Sequence, residues 1–361
     1  MTSRLILLTL AAALTFVACP TTPQPEPSSP PPQTGSPAPP TPPTPPTPPT
    51  TPPTPPPPPP RPGDTTAPTV LSVSPNNNGI GVEANAKIRI EFSEPMNQTA
   101  TEAAYQSTDM PNVTFAWSPN GRRLEIDPVG DLEYTPTGRL YGFTIQNTAK
   151  DLVGNAITPF TSTFKTLFKI TKTFSSVAAL DGYIHSDGDV EVALTGIAVG
   201  DDPDNVQVRG FLSFSLTPLA EDGLTTPERI IGAKLRIFQP APFIGSPYTE
   251  LQLGGIHVLA AHVVYGATLN FADFNSAVLH NLGEISSNNV IEHKVNENAL
   301  ESVRNDWAQR VGRDDRSQFM LYFPRATNGN GVTDAAMFNS REAASNHPQL
   351  EITYLLPNAV P

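Results

Sequence analysis

From about residue 65 to the C-terminus, short runs of apolar residues recur at a spacing of two and are broken by turn clusters. Thr69–Ser74 alternates and stops at Pro75, and Asn76-Asn77-Asn78-Gly79 is a turn signal. Lys87–Phe92 puts Ile88, Ile90 and Phe92 on one face, and Val113–Trp117 repeats the pattern on its odd positions. Asn120-Gly121 turns into Arg123–Ile126, Leu140–Ile145 follows, and Thr161–Phe168 closes the series. About seven short strands at this spacing predict a β-sandwich. Trp117 falls in step with the core-facing positions and is expected there, not as a sugar platform.

The second half also reads as strands. The clearest are Val190–Leu194, Gly210–Phe214, Lys234–Phe238, Ile256–Val264, Phe319–Phe323 and Leu350–Leu355. Phe319–Phe323 is almost wholly apolar, as suits a strand covered on both faces. One segment differs: Leu300, Val303, Trp307 and Val311 recur at helical spacing between Asn296 and Gly312. That predicts one short amphipathic helix anchored on a sheet through Trp307. The expected build is all-β: an Ig-like β-sandwich, then a jelly-roll-like β-sandwich with one short helix.

Composition changes at Gly63. Of the 43 prolines, 25 lie between Pro20 and Gly63, with hardly an apolar side chain among them. Proline donates no backbone hydrogen bond and this stretch offers nothing to bury, so no core is expected there. Its Thr-Pro-Pro repeats favour the extended polyproline II form, about 130 Å long at roughly 3.1 Å per residue. The stretch is expected to be a disordered stalk. Ahead of it, Arg4 and the apolar run Leu5–Val17 read as an export signal, too short to span a bilayer comfortably. The run ends in Phe16-Val17-Ala18-Cys19, which resembles the bacterial lipobox with Phe16 in place of the usual leucine. The resemblance implies lipidation of Cys19. With Pro20 next and no aspartate there, it implies the outer membrane or cell surface. The expected organisation is 1–18 signal peptide, 19–63 lipidated cysteine and linker, 64–168 first domain, 169–357 second.

Two further resemblances rest on motifs. Ala67-Pro68-Thr69-Val70 with Ser74-Pro75, Gly79–Val82, and Ile90-Glu91-Phe92-Ser93-Glu94-Pro95-Met96 resemble the bacterial Ig-like domain that carries an FSEPM signature; Asp151–Asn155 fits as well. That family implies a spacer or adhesive module. In the second half, Asp181-Gly182-Tyr183, Val199-Gly200-Asp201 with Asn205, Arg209–Phe214 and Ile231–Ile237 resemble the DNRLRE-type domains. Phe338–Ala343 followed by Pro348–Tyr354 matches their closing strand. The family implies an extracellular β-sandwich, and some members bind carbohydrate, including acidic polysaccharides.

Charge and chemistry narrow the function. The formal net charge is −12, which disfavours a nucleic-acid partner. Cys19 is the only cysteine, so no intramolecular disulfide forms. The six histidines (His185, His257, His262, His280, His293 and His347) show no zinc-type spacing. No serine-hydrolase elbow, phosphate-binding loop or dinucleotide fingerprint occurs, and no catalytic activity is expected. No cofactor is implied beyond calcium. For that ion, Asp181, Asp187, Asp189 and Asp201 in the head, with Asp202 and Asp204, are dense enough to consider, although solvated turn aspartates give the same pattern. In the first unit, Glu94, Asp151 and Asn155 raise the same question, with turn capping as the alternative. Arg209 and Arg341 are expected to pair with Asp201 or Glu342, or else to grip an anionic sugar. Tyr183, Tyr248 and Tyr265, outside clear core positions, are the candidate aromatic contacts. The leading reading is a lipid-anchored surface protein that displays a non-catalytic binding or adhesion head for polysaccharide. The alternatives are a purely structural envelope component acting through protein contacts, and a polysaccharide-degrading enzyme.

Overall fold

The computed structural model describes residues 63–240 and 243–360. The export segment, Cys19 and the proline-rich stretch lie outside the described residues. The first sandwich runs through β1 (Val70–Ser74), β2 (Gly79–Val82), β3 (Ile88–Phe92), helix α1 (Gln98–Ala103), β4 (Tyr105–Gln106), β5 (Val113–Trp117), β6 (Arg123–Pro128), β7 (Leu140–Ile145) and β8 (Phe160–Thr166). One sheet has the order β1-β3-β6-β5 and the other β2-β8-β7-β4. The alternating positions meet between them: Ile88, Ile90 and Phe92 from β3 pack with Leu124 and Ile126 from β6 and with Phe143 and Ile145 from β7. Trp117 stacks on Phe92 and donates from Nε1 to Glu102 at 2.8 Å, so it serves the core as expected.

The second sandwich comprises β9 (Phe168–Ser175), β10 (Gly182–His185), β11 (Val190–Val192), β12 (Gly196–Asp201), β13 (Gln207–Ser215), helix α2 (Thr217–Glu221), β14 (Ile230–Gln239), helix α3 (Pro247–Glu250) and β15 (Val258–Val263). It continues through β16 (His280–Ser286), β17 (Glu292–Asn296), helix α4 (Leu300–Ala308), β18 (Arg316–Tyr322), β19 (Asp334–Asn339) and β20 (Gln349–Leu356). A four-stranded sheet, β17-β14-β20-β9, shares one core with an eight-stranded sheet, β11-β10-β13-β18-β15-β16, whose β13 also pairs with β12 and through it with β19. Leu212 and Phe214 of β13 meet Leu235 and Ile237 of β14 and Leu350 and Ile352 of β20 there. Gly210 keeps the centre of β13 bare: a Cβ would lie 2.6 Å from the Ile197 side chain.

The apolar run around Phe319 is explained by burial on both faces. Phe319 and Leu321 enter the main core, whereas Met320 joins a second cluster with Phe211, Tyr265 and Phe274 on the opposite face. A fully buried phenylalanine contributes on the order of 2–3 kcal/mol, so such positions hold the fold without any cross-link.

The expected helix is α4, but it ends at Ala308 and passes into a 3₁₀ turn, Arg310–Arg313. Val311 therefore leaves the apolar stripe and is 88% exposed. Among the described residues, three more α-helices of four to six residues accompany it. At that length no periodicity can develop, and α2 and α3 carry proline in the first turn, where its missing N–H is harmless. The two sandwiches touch: Arg229 reaches Glu83 at 2.7 Å, and Gly81, with φ +73°, packs against Pro357.

Candidate functional site

Helix α4 has two polar–apolar faces with different duties. Val303 and Trp307 enter the main core. Ser302 and Asp306 are also fully buried, one residue before each of these two. The opposite stripe is Glu301, Arg304 and Asn305, extended past the helix by Gln309. This stripe forms one wall of a pocket of about 780 Å³. The β15–β16 hairpin supplies His262, Leu279 and His280, and the 3₁₀ turn Pro227–Arg229 supplies Pro227 and Glu228.

The pocket's side chains are held in place. His262 and His280 sit directly opposite each other on paired strands, which puts them on one face. His262 Nε2 lies 2.9 Å from Asp306 Oδ1, and Arg313 donates to that same oxygen. Asp306 Oδ2 is buried without a partner among the described residues. His280 Nδ1 lies 3.2 Å from Ser302 Oγ. Arg304 donates from Nε to the Ile230 carbonyl at 2.8 Å and from a terminal nitrogen to Glu301 at 3.1 Å. Planar donors and acceptors therefore converge with little freedom left to lose on binding. Glu228 and Glu301 offset Arg304 and Arg313, so neither sign of charge dominates. Such a set suits a hydroxylated ligand that both gives and accepts hydrogen bonds.

The residues singled out from the sequence lie elsewhere. Tyr265 is a correction: it is 7% exposed, packs edge-on against Phe211, and donates its hydroxyl to the Leu180 carbonyl at 2.8 Å. Burial pushes this phenol well above its ordinary range. The second apolar cluster beyond the eight-stranded sheet, which spacing along the chain does not reveal, claims it. Tyr248 is likewise internal at its polar end, donating to Gln239 at 2.8 Å and lying 2.8 Å from Ser286 Oγ, with its ring on Phe323. Its burial raises the pKa to about 12. Tyr183 is half-buried on β10 beside His185.

Neither arginine finds the carboxylate expected for it. Arg209 donates to the Phe274 carbonyl at 2.7 Å and to Gln207 at 3.0 Å, and its guanidinium stacks 4.2 Å from the Phe274 ring centroid. Burial lowers its pKa, with Tyr322 opposing. An aromatic face and a carbonyl replace the anion because β13 delivers Arg209 to the second apolar cluster while Asp201 turns to β19. Arg341 sits against His347, and its backbone N–H meets Asp181 Oδ2 at 3.2 Å; Glu342 accepts from Ser340 at 2.9 Å instead.

No three of the head aspartates share a 4.8 Å neighbourhood among the described residues. Asp181 is buried and accepts from Ser176 Oγ and from the N–H groups of Ser213 and Arg341. Burial pushes its pKa up to about 7, against the pull of those donors. Asp201 accepts from the N–H groups of Asp334 and Asn328 at 3.2 and 3.3 Å. Asp187 lies in the turn between β10 and β11, and Asp189 follows it just before β11.

In the first sandwich, Asp64, Glu94 and Asp151 do come within 4.8 Å of one another. Asp151 is engaged as the capping alternative expected: its Oδ1 accepts from Val153, Gly154 and Asn155 N–H at 2.9, 2.6 and 2.8 Å, and Oδ2 from the Asn155 amide at 2.7 Å. Burial works to raise its pKa, and these four donors outweigh it and hold it low. Glu94 is raised by burial and by the negative charges of Asp151 and Asp64.

The pocket on α4 was not foreseen from the sequence. A signal was present: the spacing that buries Val303 and Trp307 also turns Ser302 and Asp306 inward, and a buried carboxylate demands partners. Those partners, His262 and Arg313, come from 44 residues before and 7 residues after it.

Residues 64–166 match the family described as bacterial Ig-like domain. No curated protein matches the chain in sequence. Among solved structures, the N-terminal part of the bacterial S-layer protein SbsC is 12% identical, covering 42% of this chain and 40% of its own, with a TM-score of 0.22. SGBP-B from a complex xyloglucan utilization locus in Bacteroides uniformis is 10% identical, covering 79% of this chain and 73% of its own, with a TM-score of 0.23. The chain thus spans less than half of the matched S-layer structure. At these TM-scores neither likeness bears on ligand or assembly.

Proposed function

We propose that this chain is an envelope-held, non-catalytic polysaccharide-binding protein. Lipidated Cys19 anchors it to the outer membrane or cell surface, Pro20–Gly63 gives it reach, and the Ig-like sandwich is a spacer for a DNRLRE-type head. The observation that carries the binding reading is the pocket on α4, where imidazole and guanidinium groups are fixed by hydrogen bonds and amide and carboxylate groups join them around about 780 Å³. A volume of that size is ordinary for a ligand site. Orientation of the Arg304 guanidinium by Ile230 and Glu301 before any ligand arrives supports recognition of hydroxyl groups at low ordering cost.

The test is calorimetric titration of the chain carrying Cys19→Ser against soluble plant, algal and bacterial polysaccharides. Saturable binding to at least one polymer is expected. Asn305→Ala and Arg304→Ala should each weaken it about tenfold, the worth of one or two hydrogen bonds to a fixed group. Absence of saturable binding to every polymer overturns the reading.

A further inference from the structure

The pocket on α4 does not end at Gln309. A second cavity, of about 430 Å³, opens past the C-terminal end of the helix, and both are bordered by Pro227 and Gln309. These two residues form a sill between neighbouring hollows. The lining residues differ across it. On the near side stand His280, Glu301 and Arg304, each hydrogen-bonded within the protein, and Asn305. On the far side stand the apolar Ala308 and Val311, and the Arg310 guanidinium lies 4.6 Å from the centroid of the Trp307 ring. Asp315 holds Arg310 there at 3.1 Å. A pyranose offers the same two characters, a hydroxyl rim and a face of C–H groups.

We propose that the two hollows are one cleft with two subsites, which takes a linear oligosaccharide segment lying across the end of α4 and not a single sugar. The proposal rests on the polysaccharide-binding reading above. The near hollow holds hydroxyls against His280, Arg304 and Asn305, the far hollow holds a ring face against Ala308 and Val311 beside Arg310, and the Gln309 amide contacts the linkage between them. Val311 is 88% exposed at the far rim, placed there by the 3₁₀ turn that pulls it out of the core stripe. Once one unit is seated, the next is presented at a high effective concentration, so affinity grows steeply with chain length until both subsites are filled.

The test titrates cello-, xylo-, chito- and galacturono-oligosaccharides of one to six units into the chain carrying Cys19→Ser and Trp117→Phe, which leaves Trp307 as the only tryptophan. For a ladder that binds, the dissociation constant is expected to fall at least 100-fold between one unit and four, then level off. Trp307 fluorescence should change only with the longer members. Val311→Asp alters an exposed side chain, and its fold is checked by an unchanged urea midpoint. It should abolish the gain with length while leaving the shortest binding member untouched; Gln309→Ala should reduce the gain. Binding that is independent of length, or a gain with length that Val311→Asp leaves intact, overturns the two-subsite cleft while the binding reading stands. If neither these ladders nor any polysaccharide binds, both fall together.

Discussion

Asp181 offers the sharpest test of the packing at the junction of β9, β13 and the strand-closing segment before β20. Its carboxyl is 1% exposed, and burial lifts its pKa to about 7, with Ser176 and the N–H groups of Ser213 and Arg341 pulling down and Glu342 pushing up. An aspartate in an unfolded chain titrates near 3.9. Below about pH 4 both states hold the proton. Between about pH 4 and 7 only the folded state does, so stability falls as the pH rises through that window and is level above it. A shift of about three units at about 1.36 kcal/mol each corresponds to about 4 kcal/mol. Asp181→Asn replaces the acid by a neutral group of the same shape and removes the slope. Its single oxygen leaves one donor less well served, but that offset does not vary with pH. The assay is urea unfolding of wild type and variant at constant ionic strength from pH 4 to 8.5, followed by tryptophan fluorescence. The variant should gain on wild type by up to about 4 kcal/mol between pH 4 and 7, with no further gain above that. A difference constant to within about 1 kcal/mol across the range would refute the burial argument.

Asp151→Ala removes the acceptor of three backbone N–H groups in the turn before β8, and should destabilise the first sandwich by about 2–3 kcal/mol at neutral pH. Because the Asp151 pKa is held low, its contribution is present above the unfolded value and lost as the pH drops through the folded one; denaturation at pH 7 and pH 3 checks the sign. Intact mass of the chain purified from a bacterial membrane should correspond to a diacyl- or triacylated product beginning at Cys19, and an unmodified product cut elsewhere would remove the anchor from the proposed function.

The sandwiches were legible because alternation is a local property. Ile88, Ile90 and Phe92 point inward wherever β3 is placed, and a run such as Phe319–Phe323 declares its two-sided burial by having no polar face. Helix α4 was legible through Val303 and Trp307, yet its last turn was not, since Val311 keeps helical spacing in the sequence after the backbone has left the helix. Proline content and the single cysteine are likewise plain in the chain itself, and they set the expectations for reach and attachment.

Pairing across distance had to come from the fold. Arg209 and Asp201 are near in sequence, but β13 carries one to the ring of Phe274 and β12 turns the other to Asp334. Tyr265 looks like a loop tyrosine until a second apolar cluster closes over it. The pocket depends on the β15–β16 register that sets His262 opposite His280 and on the packing that brings Asp306 to both His262 and Arg313. Side-chain direction along one strand or helix follows from backbone geometry and is written into the order of residues. Which directions meet is decided by burial of distant surfaces against each other, and only the assembled fold contains that information.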